Sequence, residues 1–297
     1  MTSPLPRLLL VIAAVAALAP AAATAAGGDR EVARMTSFGG ACPRCELSGR
    51  KMSGARFLGA DFSGAALVGS DLREARFLGS NFSGANMSRA DLTDATIFGA
   101  NFNNANLSHA RLRSAEAKGV TFAGANLTNA DLTDASATGS NFAKAILTNA
   151  TLRSAEMQGA NLTRAEAKGA DFKDAQMTAA VLANGQFDRA SFRAAELNMA
   201  VLTGGSFDGA DFKDADMHRT VIAGADLSRA RGLTQEQVDE ACGDARTRLP
   251  ARLESHGCTN LHMIIRQAGP AAWPAAPPAP PAPPAPPAPR FLVALPN

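Results

Sequence analysis

"SNFSGANMSRADLTDATIFGANFNNANL", residues 80–107, carries an aliphatic or aromatic side chain at Phe82, Met87, Leu92, Ile97, Phe102 and Leu107, one at every fifth position. A period of five suits neither common element. A half-buried strand repeats every 2 residues and a helix about every 3.6. On a helix each step of five turns the side chain by about 140°, so no face stays apolar. On one continuous strand an odd step sends successive apolar groups to opposite faces.

The pattern extends far beyond this stretch. Residues 45–229 divide into 37 units of five without an insertion or deletion, with centres at 47, 52, 57 and onward to 227. The centre is Leu, Phe, Met or Ile in 34 units; the exceptions are Ala117, Ala137 and Ala167. Two residues earlier, Ala fills 28 of the 37 positions, Asp or Asn often precedes the centre, and Gly or a polar residue commonly closes the unit. Pro is absent from 44 through 249, as expected where amides must donate to a ladder.

A second period, of twenty, sets the shape. Phe62, Phe82, Phe102, Phe122 and Phe142 lie twenty apart, and so do Leu72, Leu92, Leu112, Leu132 and Leu152. Like side chains at that spacing imply four units per turn, each stacked on its equivalent one turn below. Every unit then bends the chain by about a right angle, and the section is a square. Each Ala centre is followed by a Phe centre on the next side: Phe122, Phe142 and Phe172. A close-packed interior of fixed volume asks for that compensation. The 37 units make about nine turns, a rod of roughly 45 Å at the spacing of paired strands.

The units "ADLTD" (90–94), "ANLTN" (125–129), "ADLTD" (130–134) and "ANLTR" (160–164) resemble the A(D/N)LXX consensus of the pentapeptide-repeat family. The resemblance covers 45–231. It implies an all-β solenoid, a right-handed quadrilateral β-helix; the handedness comes from the family alone.

The flanks divide the rest of the chain. Arg7, the apolar run 8–19 and an Ala-x-Ala site at Ala23–Thr24–Ala25 read as a signal peptide over 1–25, placing the protein in a bacterial periplasm or secreting it. No other segment could span a bilayer. Residues 26–44 form an N-terminal segment with a CxxC, and 232–268 a C-terminal cap. There Thr234 and Gln237 fit a capping box, predicting a short helix over about 235–242 that lies over the open end. Residues 269–297 are a Pro-rich disordered tail, with eleven prolines in 270–289 and an apolar tip, "RFLVALPN".

The four cysteines, Cys42 and Cys45 before the coils and Cys242 and Cys258 after them, are disulfide candidates. A shared zinc site is excluded by the rod between the pairs. Cys242–Cys258 would close a short loop, worth ~3 kcal/mol.

No nucleophile–base constellation, phosphate loop or metal cluster is readable, so the sequence predicts no enzyme, no catalytic residue, no metal and no cofactor. The span 45–231 holds 20 acidic and 20 basic residues. Basic residues at 73, 113, 153, 173, 193 and 213 suggest a phosphate track, but the aspartates beside them favour laddered ion pairs.

Two outward apolar columns are the interaction candidates: Leu58, Leu78 and Phe98 on a third side, Val181, Val201 and Val221 on a fourth. They would bind an unknown envelope protein, mediate self-association, or be covered by the chain's own termini. The reading is an exported, non-enzymatic scaffold with no nucleic-acid partner. One branch of the resembled family mimics DNA and protects DNA gyrase. That mechanism needs a strongly negative surface and the cytoplasm, and this sequence departs on both counts. Thiol–disulfide or metal chemistry at the terminal cysteines is the other alternative.

Overall fold

The computed structural model describes residues 40–255 and 257. The expected signal peptide, most of the N-terminal segment, Cys258 and the Pro-rich tail lie outside the described residues.

One unit explains the rest. In 90–94, Ala90 and Leu92 point inward and are buried, while Asp91, Thr93 and Asp94 face out. The Leu92 amide donates to the Arg111 carbonyl on the next coil at 2.7 Å, and the Asp94 amide to the Arg113 carbonyl at 3.0 Å. The Asp91 amide reaches back to the Ser70 carbonyl at 2.9 Å. Ala95 closes the corner by donating to the Leu92 carbonyl at 3.0 Å. The Thr93 amide alone is left over by the ladder, and Asp91 Oδ1 accepts it at 3.1 Å. That accounts for the Asp or Asn before the centre: it satisfies the one backbone donor that neither coil nor turn can reach. Asn126 does the same for Thr128, and Asn161 for Thr163.

The corner is a type II turn. Its third residue, Asp94, has φ +58°, the conformation that favours Gly, Asn or Asp at the end of the unit.

Bridges join each unit to the one twenty residues on, always in parallel, from Ala41↔Asp61 to Asp211↔Arg231. Four such columns make the four sides, which we number by the centres Leu47, Met52, Phe57 and Phe62. The chain is therefore a four-sided parallel solenoid. Two strands are long enough to name, β1 (Arg56–Leu58) and β2 (Arg76–Leu78), paired Arg56↔Arg76, Phe57↔Phe77 and Leu58↔Leu78 on the third side.

The core runs the length of the coil. On the fourth side, Phe62, Phe82, Phe102, Phe122 and Phe142 form a stack with centroids 4.9–5.2 Å apart. Phe172, Phe192 and Phe212 stack on the second. Ser70, Ser80, Ser140 and Thr220 replace the inward Ala, and each hydroxyl donates to a turn carbonyl, so burial leaves none unpaired.

Both ends differ from the sequence reading. The ladder begins one unit earlier than 45: Cys42 donates to the Asp61 carbonyl at 2.7 Å and Cys45 closes a turn onto the Cys42 carbonyl at 3.3 Å. Cys42 and Cys45 thus occupy a centre and an Ala position, inside the first coil rather than before it, and pack against the core. Pro43 falls at the second turn position, where its fixed φ fits and no ladder amide is needed.

At the other end the ladder continues past 231, through Val221↔Cys242 and Asp226↔Arg248. Helix α1, Gln235–Glu240, replaces the ladder rung between them and Arg231. Thr234 and Gln237 make a reciprocal capping box, and the helix stops two residues short of the predicted 242. Gln237 Nε2 donates to the Phe212 and Ala215 carbonyls at 3.0 and 2.7 Å. Leu233 and Val238 are buried beneath. The Asp244–Thr247 turn then closes on the last repeat: Asp244 Oδ1 accepts the Gly224 amide at 2.8 Å and Thr247 Oγ1 donates to the Ile222 carbonyl at 3.1 Å.

Candidate interaction surface

The second side carries the basic column, and its charges are spent locally. Arg73 pairs with Asp71, Arg113 with Asp131, Arg153 with Asp171, Lys173 with Asp174, Arg193 with Asp211 and Lys213 with Asp214. Asp71 is held below the usual carboxylate range by the Arg73 hydrogen bond. A track whose every cation has a carboxylate beside it offers little to phosphate.

The third side is different. Leu58 and Leu78 are 44% and 40% exposed, on consecutive rungs of β1 and β2, with Phe98 half-buried on the rung beyond. Arg56 and Arg76 flank them, both exposed. Further along this side, Met199 is 46% exposed at a corner. The three exposed large apolar side chains of the described residues therefore share one side of the square.

The fourth-side column divides. Val181 and Val201 are half-buried, but Val221 is only 2% exposed. Its outward placement is corrected by the C-terminal segment, which lays Cys242 over it as the next rung. The neighbouring Ala223, 5% exposed, is buried at the same end. Val221 is thus an internal contact.

Cys42 and Cys45 have Cα atoms 5.4 Å apart, at disulfide separation. Among the described residues no group of His, Cys, Asp and Glu is placed to hold a metal ion, and no helix is long and apolar enough to cross a membrane.

Sequence reasoning missed the residues just before the third-side centres, Arg56, Arg76, Glu196 and Asp216. The signal was present: they lie in the same period of twenty as the apolar column that was read.

A four-sided parallel solenoid with a five-residue unit defines a class of repeat scaffold that presents its outward residues in columns. Comparison places the chain within it. The family model for pentapeptide repeats (8 copies) matches in overlapping spans from 44 to 231, and the chain belongs to that family. Its known structures are right-handed quadrilateral β-helices.

No curated protein matches significantly. Among solved structures, HetL of Nostoc sp. strain PCC 7120, a pentapeptide repeat protein involved in heterocyst differentiation regulation, is 22% identical. That match covers 76% of this chain and 97% of HetL, at a TM-score of 0.35. QnrB1, a plasmid-mediated fluoroquinolone resistance protein, is 20% identical over 78% of this chain and 95% of its own, at 0.38. A pentapeptide repeat protein of the Arabidopsis thaliana thylakoid lumen is 30% identical over 35% of this chain and 69% of its own, at 0.28. Overall similarity at these values carries no argument about function.

Proposed function

We propose that this protein is an exported, non-enzymatic scaffold: a rigid rod of about nine coils that presents its third side to a protein of the cell envelope. In this reading residues 1–25 direct export and are removed, and 269–297 are a Pro-rich tail. Helix α1 and the turn after it close one end of the ladder. A Cys42–Cys45 disulfide pins the first coil, and a Cys242–Cys258 disulfide pins the last; both suit an oxidising compartment.

The observation that carries the proposal is the exposure of Leu58 and Leu78 on successive rungs, continued by Phe98, on a rod whose other outward positions are mostly polar or charged. Apolar side chains stacked in register make a contact strip, and Arg56 and Arg76 beside it supply cations of the kind enriched at protein interfaces. Val181 and Val201 form a secondary strip.

The test is the pair Leu78→Lys plus Phe98→Lys in the mature chain, followed by cross-linking in intact cells. Loss of the cross-linked species with the fold intact is the expected result. An unchanged pattern removes the third side from the function. A gyrase supercoiling assay separates this reading from DNA mimicry: a scaffold leaves supercoiling unaltered.

A further inference from the structure

One column on the third side opens with Arg56 and Arg76, passes Ser136 at its midpoint and closes with Glu196 and Asp216. Its successive members are bridged in strict register, one rung apart. All four end charges are exposed, and none makes an ion pair among the described residues. Asp216 accepts only from neutral groups, Asn198 Nδ2 and the His218 amide. The second side pairs its charges within itself; this column leaves two cations at one end and two carboxylates at the other, with the exposed Arg219 at the corner beside Asp216. Such a column is complementary to its own reverse.

We propose that two copies of the chain pair antiparallel through their third sides, about a two-fold axis at Ser136. The proposal rests on the reading of this side as the contact surface, and it names the partner as a second copy.

Counting rungs gives the contacts. Arg56 lies four rungs before Ser136 and Asp216 four after; Arg76 and Glu196 lie three before and three after. Each Arg therefore meets a carboxylate of the second copy, and the symmetry makes every pair twice. The same operation sets Met199 against Gly79, beside Leu78, while Leu58, Leu78 and Phe98 face His218, Asn198 and Thr178.

The corner flanking the apolar column is Gly at 59, 79, 99, 119, 139 and 159, and a Cβ at any of these would meet nothing within 4 Å. The column continues as Ala179, Met199 and Arg219, so side chains cross this edge only at its two ends and its middle is bare. In the centre Glu116 faces Glu156, the least favourable contact; Lys118 stands beside it, and the Ser136 hydroxyl already donates to Glu156 Oε2 at 2.7 Å.

Eight rung steps span ~38 Å, and a face roughly 15 Å wide buries about 1,200 Å² in total, at the lower bound for a specific dimer. Paired charges, reached twice, give the register that so modest an area needs.

Sedimentation of the full mature chain tests this, with wild type expected at twice the protomer mass. R56E plus R76E sets Glu against Glu and Asp, and E196R plus D216R sets Arg against Arg; each is expected to weaken association ~100-fold or more. An equimolar mixture of the two restores a dimer, because one contact is then Glu with Arg and the other is wild type. R56A plus R76A, which removes charge without adding repulsion, weakens it ~10-fold, as does raised salt.

A wild-type monomer overturns the proposal, whether the face is bare or covered by the chain's own tail or by residues 26–39. A dimer indifferent to both charge reversals also overturns it. If Leu78→Lys plus Phe98→Lys abolishes capture of a different protein while wild type is monomeric, the contact surface stands and self-pairing falls.

Discussion

Phe62 and Phe82 lie one above the other, ring centroids 5.0 Å apart and planes within 10°, although twenty residues separate them in the chain. Phe82 also stacks on Phe102 at 4.9 Å and meets the edge of Phe77 at 4.9 Å. It is wholly buried. Phe82→Ala empties a site walled on three sides by other rings, which cannot collapse without breaking the ladder. The expected loss is about 3–5 kcal/mol, read from the urea midpoint, against roughly 1 kcal/mol for Phe82→Leu. Equal losses for the two would mean the stack does not set the stability of the coil.

Asn126 accepts the amide and hydroxyl of Thr128 at 3.0 and 2.7 Å. Asn126→Ala strands that amide, at a cost of about 1 kcal/mol. Asn126→Asp keeps an acceptor in place and is expected to stay within ~0.5 kcal/mol of wild type. If both substitutions cost the same in thermal melts, side-chain size rather than amide satisfaction governs this position.

Gly185 occupies a position at which the repeat prefers Ala, so replacing it with the commoner residue looks stabilising. Geometry gives the opposite sign. A Cβ there would sit 2.5 Å from Phe187 Cε2 and 3.2 Å from the Ala165 carbonyl, and Phe187 is stacked on Phe207 at 5.3 Å and cannot swing away. Gly185→Ala is expected to destabilise by about 1–3 kcal/mol. A rise in melting temperature would show that the ring can yield.

Asp244 reports on the C-terminal end. Burial pushes its carboxyl upward, but hydrogen bonds from Arg246, the Gly224 amide and Thr247 outweigh this and lower it from 3.8 to about 2. A pKa depressed by folding gives stability that is present above the ordinary value and is lost as pH falls toward the folded one. The gap between wild type and Asp244→Asn should therefore be open at pH 5 and close between about pH 4 and 2. Allowing for solvent screening, it amounts to about 1 kcal/mol. A gap independent of pH would refute the assignment.

The sequence by itself determined the solenoid, its square section and the inward residues, because its information is periodic and local. A centre every five residues fixes the unit, and likeness at twenty fixes how many units make a coil. It also fixed which charges stand beside one another on the second side, since Asp71 and Arg73 belong to one unit.

Only the tertiary structure decided the ends and the fate of single surface positions. Val221 has the sequence environment of Val201, yet it is buried because Cys242 lies over it after a helix that breaks the period. Cys42 joined the first coil because a turn amide and the Asp61 carbonyl held it there, although no apolar centre marked the unit. Repetition is written in the chain. Its termination depends on which segment happens to satisfy the last open carbonyls, and that is settled by contacts between residues the period does not relate.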